Sequence, residues 1–463
     1  MEEGDPIAPI NGEIESNFAG LETERKKKLR NQIILWGAVS LAIIIIIAII
    51  IILVLSSGKN DGDSNKKEGD EEETIPKDIY GNITCIYDIT SGEINILSDD
   101  FVKDFSVVIY IGKDRIKYSK KYNFDIVDSK TVRFEIHSKE ISLKNMFKGV
   151  RYLKNVYFTT NSECKITSME STFEQCNLLE EFYFEKGWDT SGLTSMKKTF
   201  AYCQQLVNIQ FYNMSLTNVQ DMSFMLAGTS IQLFAPNRFD TQSVETMASM
   251  FQNCYRLTQV KFAEFTSPNL KDMSFMFSGC ESLFDIDLKN LNTNNVVNMQ
   301  ALFQGCIALG QLSIEFFDTR QVTDMSHMFE NVQSLGDLSL TFFRTENVKT
   351  MASMFKGCFS LGFLNTASFD TSNVEDMSYM FSECRAISFA NVETFKTGKV
   401  KNFEGMFYGC NSLTSLSLNE FDTSSATNMK SMFELCSTLR SVEMSEWDTS
   451  NVEDMSSDRK SVV

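Results

Sequence analysis

The stretch FDTSNVEDMSYMFSECRAI, residues 369–387, carries the pattern that decides the fold. Met377, Met380, Phe381 and Cys384 are spaced 0, 3, 4 and 7, which predicts one apolar face of an α-helix. Asp376, directly before the first of them, is the residue type that caps a helix N-terminus by accepting a bond from an orphan amide. Upstream, Phe369 is followed by Asp370, Thr371 and Ser372, side chains that satisfy turn amides locally. Val374 then re-enters the core.

The same pattern recurs on both sides. Aligned on one position, the chain reads Met169, Met196, Met222, Met247, Met273, Met299, Met325, Met351, Met377, Phe403, Met429 and Met455, with steps of 26 broken once by 27 and once by 25. A fixed period in this range marks a solenoid of stacked units. The preceding residue is Ser168, Ser195, Asp221, Thr246, Asp272, Asn298, Asp324, Thr350, Asp376, Asn402, Asn428 or Asp454, a capping type every time. After each apolar face comes L-x-x-L-x-L, as in Leu335, Leu338 and Leu340 or Leu413, Leu416 and Leu418, whose final alternation predicts a short strand. Stacking would pair these strands into a parallel sheet. The expected fold is an α/β, leucine-rich-repeat-like solenoid of about twelve 26-residue helix-plus-strand coils over residues 143–463.

L-x-x-L-x-L with this period, and phrases such as FDTSNVEDM (369–377) and MFYGCNSL (406–413), resemble the BspA-like leucine-rich repeats, the bacterial surface protein 26-residue repeat. The resemblance covers residues ~143–456. It implies a leucine-rich-repeat-like surface protein linked with adhesion, and it supplies no catalytic residues. The chain departs from members with a signal peptide or lipoprotein anchor. The repeat at 222–246 departs as well: Leu226 replaces Phe, Thr229 replaces Cys and one residue is missing, so a bend or looser packing is expected there.

Nine cysteines share one repeat slot: Cys176, Cys203, Cys254, Cys280, Cys306, Cys358, Cys384, Cys410 and Cys436. Val332 fills the slot in another coil, so it reads as small and buried, holding free thiols. The rival reading, a disulfide ladder, would tie vertical neighbours through a strained stack and leave odd partners over. Cys85 and Cys164 lie outside the pattern and are the best candidate disulfide pair. The methionine row beside phenylalanine reads as core rather than as a copper site.

Ahead of the repeats the chain changes character. Residues 1–32 are mostly polar and read as a cytosolic disordered tail. Residues 33–55 carry no charge over 23 positions, which predicts a single-pass transmembrane helix. Arg25, Lys26, Lys27, Lys28 and Arg30 flank it, orienting the N-terminus to the cytosol and the repeats to the exoplasmic side, at the plasma membrane or cell surface. Residues 56–75 read as a flexible acidic linker. Residues 76–142 alternate with a period near two and read as a small β module of five strands, either a cap hiding the first coil or a separate ligand domain. Asn82 and Asn213 open glycosylation sequons.

The net charge of −18 argues against a nucleic-acid footprint. The two histidines, His137 and His327, stand far apart in sequence and outside zinc-type spacings. Phosphate-binding glycine loops and nucleophile-elbow motifs are absent from the sequence. No cofactor, metal or catalytic constellation is expected, and the chain is expected not to be an enzyme. A membrane-anchored protein that binds a protein or glycan partner is expected, mediating adhesion. The alternatives are a receptor ectodomain signalling through a partner protein and a hydrolase in the β module. The candidate binding face is the set of outward strand positions, Glu181, Tyr183, Asn208, Gln210, Lys261, Asp285, Asp287, Asp337, Asn391 and Glu443, which vary while the core positions repeat.

Overall fold

The structure is a computed structural model, and it describes residues 78–457 apart from 90–91, 126–127, 161–162, 212–213, 237–238, 263–264 and 389. The chain divides into two units, Met1–Glu73 and Thr74–Val463, and only the second falls within the described residues.

The repeated segment contains no α-helix, and neither does any other described residue. This corrects the helix-plus-strand expectation: the chain is a β-solenoid. At 377–384 the amides alternate between two destinations. Met377, Tyr379, Phe381 and Glu383 donate to Asn402, Glu404, Met406 and Tyr408 of the next coil at 2.6–3.0 Å. Met380, Ser382 and Cys384 donate instead to the residue three back in their own coil. A helix would have kept every amide within its own segment. The backbone achieves the alternation by entering the left-handed region at Tyr379 (φ 55°) and Glu383 (φ 59°). The same two slots are left-handed in every coil in which both are described, among them Ser353 and Gly357 or Gly405 and Gly409. Spacing of 0, 3, 4 and 7 still buries Met377, Met380, Phe381 and Cys384, so the apolar face is real although the helix is not.

The twelve capping residues do cap, but as turns. Asp376 Oδ1 accepts from the Ser378 amide at 2.8 Å, and the other eleven each accept from the amide two residues on. Ten parallel bridges join these positions into one column from Ser195 to Asp454.

Seven strands precede the repeats' own: β1 (Gly81–Ile89), β2 (Gly92–Asn95), β3 (Val107–Ile111), β4 (Asp114–Ile116), β5 (Lys121–Phe124), β6 (Asp128–Ile136) and β7 (Glu140–Ser142). Within the coils lie β8 (Leu153–Thr159), β9 (Cys164–Ser168), β10 (Glu181–Phe184), β11 (Trp188–Asp189), β12 (Asn208–Ile209), β13 (Leu233–Phe234), β14 (Gln259–Lys261), β15 (Asp285–Asp287), β16 (Asp337–Ser339), β17 (Phe363–Asn365), β18 (Ser415–Ser417) and β19 (Ser441–Glu443). The largest sheet runs β12-β10-β8-β1-β6-β3-β4. β1 pairs antiparallel with β8, so the β module continues into the first coils as one sheet. Further on, the parallel sheet is in pieces: β13-β14-β15, β16-β17 and β18-β19.

Phenylalanines at one slot stack along the core. Phe355, Phe381 and Phe407 follow one another at 5.7 and 5.5 Å between ring centroids, within 10° of parallel. The stack is interrupted at Leu226, and there the sheet also breaks, between β12 and β13. Elsewhere each cysteine thiol in the column donates to a carbonyl of the preceding coil, as Cys384 does to Phe355 at 3.1 Å. Thr229 turns its hydroxyl back to Leu226 of its own coil, at 2.8 Å, so this coil lacks that link.

Among the described residues no helix is long and apolar enough to cross a membrane. The expected single-pass membrane helix and the localisation built on it therefore have no support among the described residues. Residues 33–55, on which they rested, lie outside the described residues, as do the tail and the linker.

Candidate functional site

Each coil is pinned to the next by a recurring set of side chains that bond its backbone. Buried Thr319 donates to the Arg344 carbonyl at 2.8 Å and accepts from its amide at 2.7 Å, and Thr371 does the same with Lys396. Asn347 and Asn373 donate to the Arg320 and Glu346 carbonyls one coil back. These bonds hold the outward residues of the turns on a fixed grid.

The ten residues of the strand face are all exposed or half-buried. Neighbouring coils bring some of them together. Glu181 lies opposite Asn208 and also accepts from Asn155, while Lys261 lies opposite Asp287. Asp285 accepts from Gln259 at 3.0 Å. Tyr183 packs against Tyr157 with ring centroids 6.4 Å apart. Burial opposes ionisation at Asp287, but the Lys289 amide and ammonium, with Lys261, outweigh it and hold the carboxyl below the usual carboxylate range. Asp337 and Glu443 sit on other sheets, and Gln210 and Asn391 fall outside strands, so the face is a series of patches. Asn82 lies half-buried on β1 between β6 and β8, and Asn213 lies outside the described residues.

Cys85 and Cys164 are free buried thiols in separate sheets, which corrects their expected pairing. Cys85 hydrogen-bonds Tyr87, and Cys164 donates to the Ser138 carbonyl at 3.5 Å. The nine column cysteines are free and buried too. Burial pushes the Cys254 thiol up to about 11 and Cys358 up to about 12, far from the thiolate a nucleophile needs. Among the described residues no cluster of three or more His, Cys, Asp or Glu side chains is placed to hold a metal ion.

An open concavity lies at the corner after the strands. Phe316, Phe317, Asp318, Arg320, Phe342, Arg344, Glu346, Ser368 and Asp370 line an open groove of about 710 Å³ across three coils. Phe317 and Phe343 fill the buried aromatic column, which leaves Phe316 and Phe342 37% and 64% exposed. Arg320 is tied to Asp318 through Nε and Nη2, with Glu346 adding its charge. Asp370 is held below its usual range by the Ser372 hydroxyl and amide, and Lys396 lies 3.7 Å from it. Arg344 forms no ion pair among the described residues.

A family model described as "Mycoplasma protein of unknown function, DUF285" matches residues 141–260, 228–335, 310–391 and 383–458, more than half of the chain. The chain belongs to the DUF285 family. A leucine-rich repeat protein from Eubacterium ventriosum is 16% identical to this DUF285 chain, covering 63% of it and 80% of its own length at a TM-score of 0.32. No curated protein matches the DUF285 chain.

The sequence reading missed the groove. Its signal was the doublets Phe316-Phe317 and Phe342-Phe343: at the first slot other coils of this DUF285 chain carry Asn290, Ser368, Thr394, Glu420 and Glu446. Arg344 likewise stands where Asp318, Asp370, Asp422 and Asp448 make turn caps.

Proposed function

We propose that the chain is a non-enzymatic repeat protein that binds a protein or glycan through the outward residues of its strands, and that this binding is adhesive. The observation that carries the reading is the contrast within each coil. A repeated lattice of buried Met, Phe, Cys and Thr holds outward positions whose identity changes from coil to coil. A rigid scaffold with varied side chains lowers the ordering cost of association. The resemblance to BspA-like repeats supports the adhesive part of the proposal.

Replacing Asp285, Asp287 and Asp337 together by Ser in the full chain tests it. Binding to arrays of proteins and glycans should weaken roughly tenfold or more at one or more spots, since clustered changes act strongly where single rim changes are mild. The thermal midpoint should fall only modestly, because Asp337 is exposed and the half-buried Asp285 and Asp287 make only surface polar contacts. Unchanged binding after all ten face residues are replaced would remove the strand face from the proposal.

A further inference from the structure

We propose that the groove at Phe316, Phe342 and Arg344 is a docking site for an extended peptide segment of a partner protein, one that carries a large apolar side chain beside a carboxylate. This assignment rests on the binding role proposed above and gives it a second, separate surface.

Three features point to such an occupant. The first is placement. The slot that is Asn290, Ser368, Thr394, Glu420 or Glu446 in other coils is Phe in two adjacent ones, so two rings stand outside the core at one register. The core does not require them, because Phe317 and Phe343 already fill its aromatic column. Stacked coils repeat at about 4.8 Å, so the two rings together offer a surface wide enough for one large apolar side chain. An exposed aromatic pair backed by a pinned scaffold has the character of an interface hot spot, where aromatic and arginine residues dominate.

The second is charge. Asp318 and Glu346 both draw on Arg320, and Asp370 is engaged by Ser372 and Lys396. Of the two guanidiniums in the groove, that leaves the exposed Arg344 as the one without an ion pair among the described residues. Its backbone is clamped on both sides by the Thr319 hydroxyl, so its position along the groove is fixed. A guanidinium offers a planar fork that matches a carboxylate.

The third separates a peptide from a sugar. A glycan site needs acceptors free to take hydroxyl protons. Asp318 already accepts from the Arg320 amide and guanidinium, and Asp370 from the Ser372 amide. Phenylalanine adds no polar atom. Glu346 is the one groove carboxylate with no donor among the described residues, a single free acceptor where a ring of hydroxyls needs several, so the groove suits an apolar side chain and one carboxylate better.

The test pans a phage-displayed random heptapeptide library on the full chain. Enriched sequences are then made as synthetic peptides and their affinities measured by fluorescence anisotropy. Enriched peptides should carry Asp or Glu within two positions of a large apolar residue. Phe342→Ser and Arg344→Glu should each weaken them roughly tenfold or more. Changing the peptide's acidic residue to Lys should restore binding to the Arg344→Glu variant. The strand-face triple replacement should leave the same peptides unaffected, so failure of the groove and failure of the strand face read out separately. Enriched peptides that lack a carboxylate, or that ignore both groove substitutions, overturn the proposal. So does an acidic oligosaccharide array that binds in a Phe342-dependent way when no peptide is enriched. Self-association of the full chain that disappears in Phe342→Ser also overturns it, in favour of a second copy as occupant.

Discussion

Asp376 Oδ1 lies 2.8 Å from the Ser378 amide, in a segment where the neighbouring amides already have partners. Asp376→Ala should therefore leave one amide unmet and cost about 1 kcal/mol. Asp376→Asn should be close to neutral, because Asn298, Asn402 and Asn428 do the same work in other coils. Phe381→Ala removes a ring stacked on both sides and should cost about 3–5 kcal/mol in urea unfolding. Equal effects of the alanine changes at Asp376 and Phe381 would contradict the assignment of one to a turn and the other to the core. The turn carboxylates also make stability depend on pH. Asp189, Asp370 and Asp422 are held below the usual range by the hydroxyl and amide of Ser191, Ser372 and Ser424 respectively. A depressed folded pKa stabilises the fold above the unfolded value of about 3.9, and that contribution disappears as pH falls through the folded value. The urea midpoint should therefore drop as pH is lowered below about 4. Asp370→Asn, which keeps the acceptor and loses the charge, should flatten that drop.

The turn segment that replaces the helix has its own signature in the sign of a glycine substitution. Leu435 is 56% exposed and left-handed at φ 63°, in the slot that is Gly149, Gly228, Gly279, Gly305, Gly357 and Gly409 in other coils. Leu435→Gly should relieve left-handed strain and raise stability by up to about 1 kcal/mol. In a helix interior the same change would lower it by about that much. Unfolding measurements on the one variant decide between the two backbones. The glycines were in the sequence all along, and a helix with glycine recurring at an interior position was a poor reading. The period, the buried slots, the turn caps and the strand after each apolar face could be read because they depend on which side chain faces inward. The helix could not, because 0, 3, 4 and 7 places the same residues inward whether amides bond within a coil or to the next one. The strand-face patches were legible by alternation. The groove was not, because alternation marks outward positions only along strands and the two exposed phenylalanines lie past their ends.

Across the solenoid, cohesion is a sum of neighbouring contacts, and it is uneven. Where Leu226 interrupts the ring stack, Thr229 bonds its own coil and β12 and β13 belong to different sheets, three links between coils are missing at one joint. Hydrogen exchange should show its lowest interior protection there, with amides of 222–231 opening before those of 351–361. Uniform protection along the repeats would mean that the stacked rings and thiol bonds add little. The remaining joints share a property with a consequence for how such a chain changes over generations. The Thr, Asn and Cys columns grip main-chain atoms of the neighbouring coil, and every residue has those, so a coil does not need a particular neighbour. Whole 26-residue units can then be lost, copied or shuffled in the gene without any partner residue having to change in step. Joining Asn298 to Met325, for instance, preserves every column. The length of the solenoid and the order of its outward residues are free to vary while the lattice beneath them stays the same.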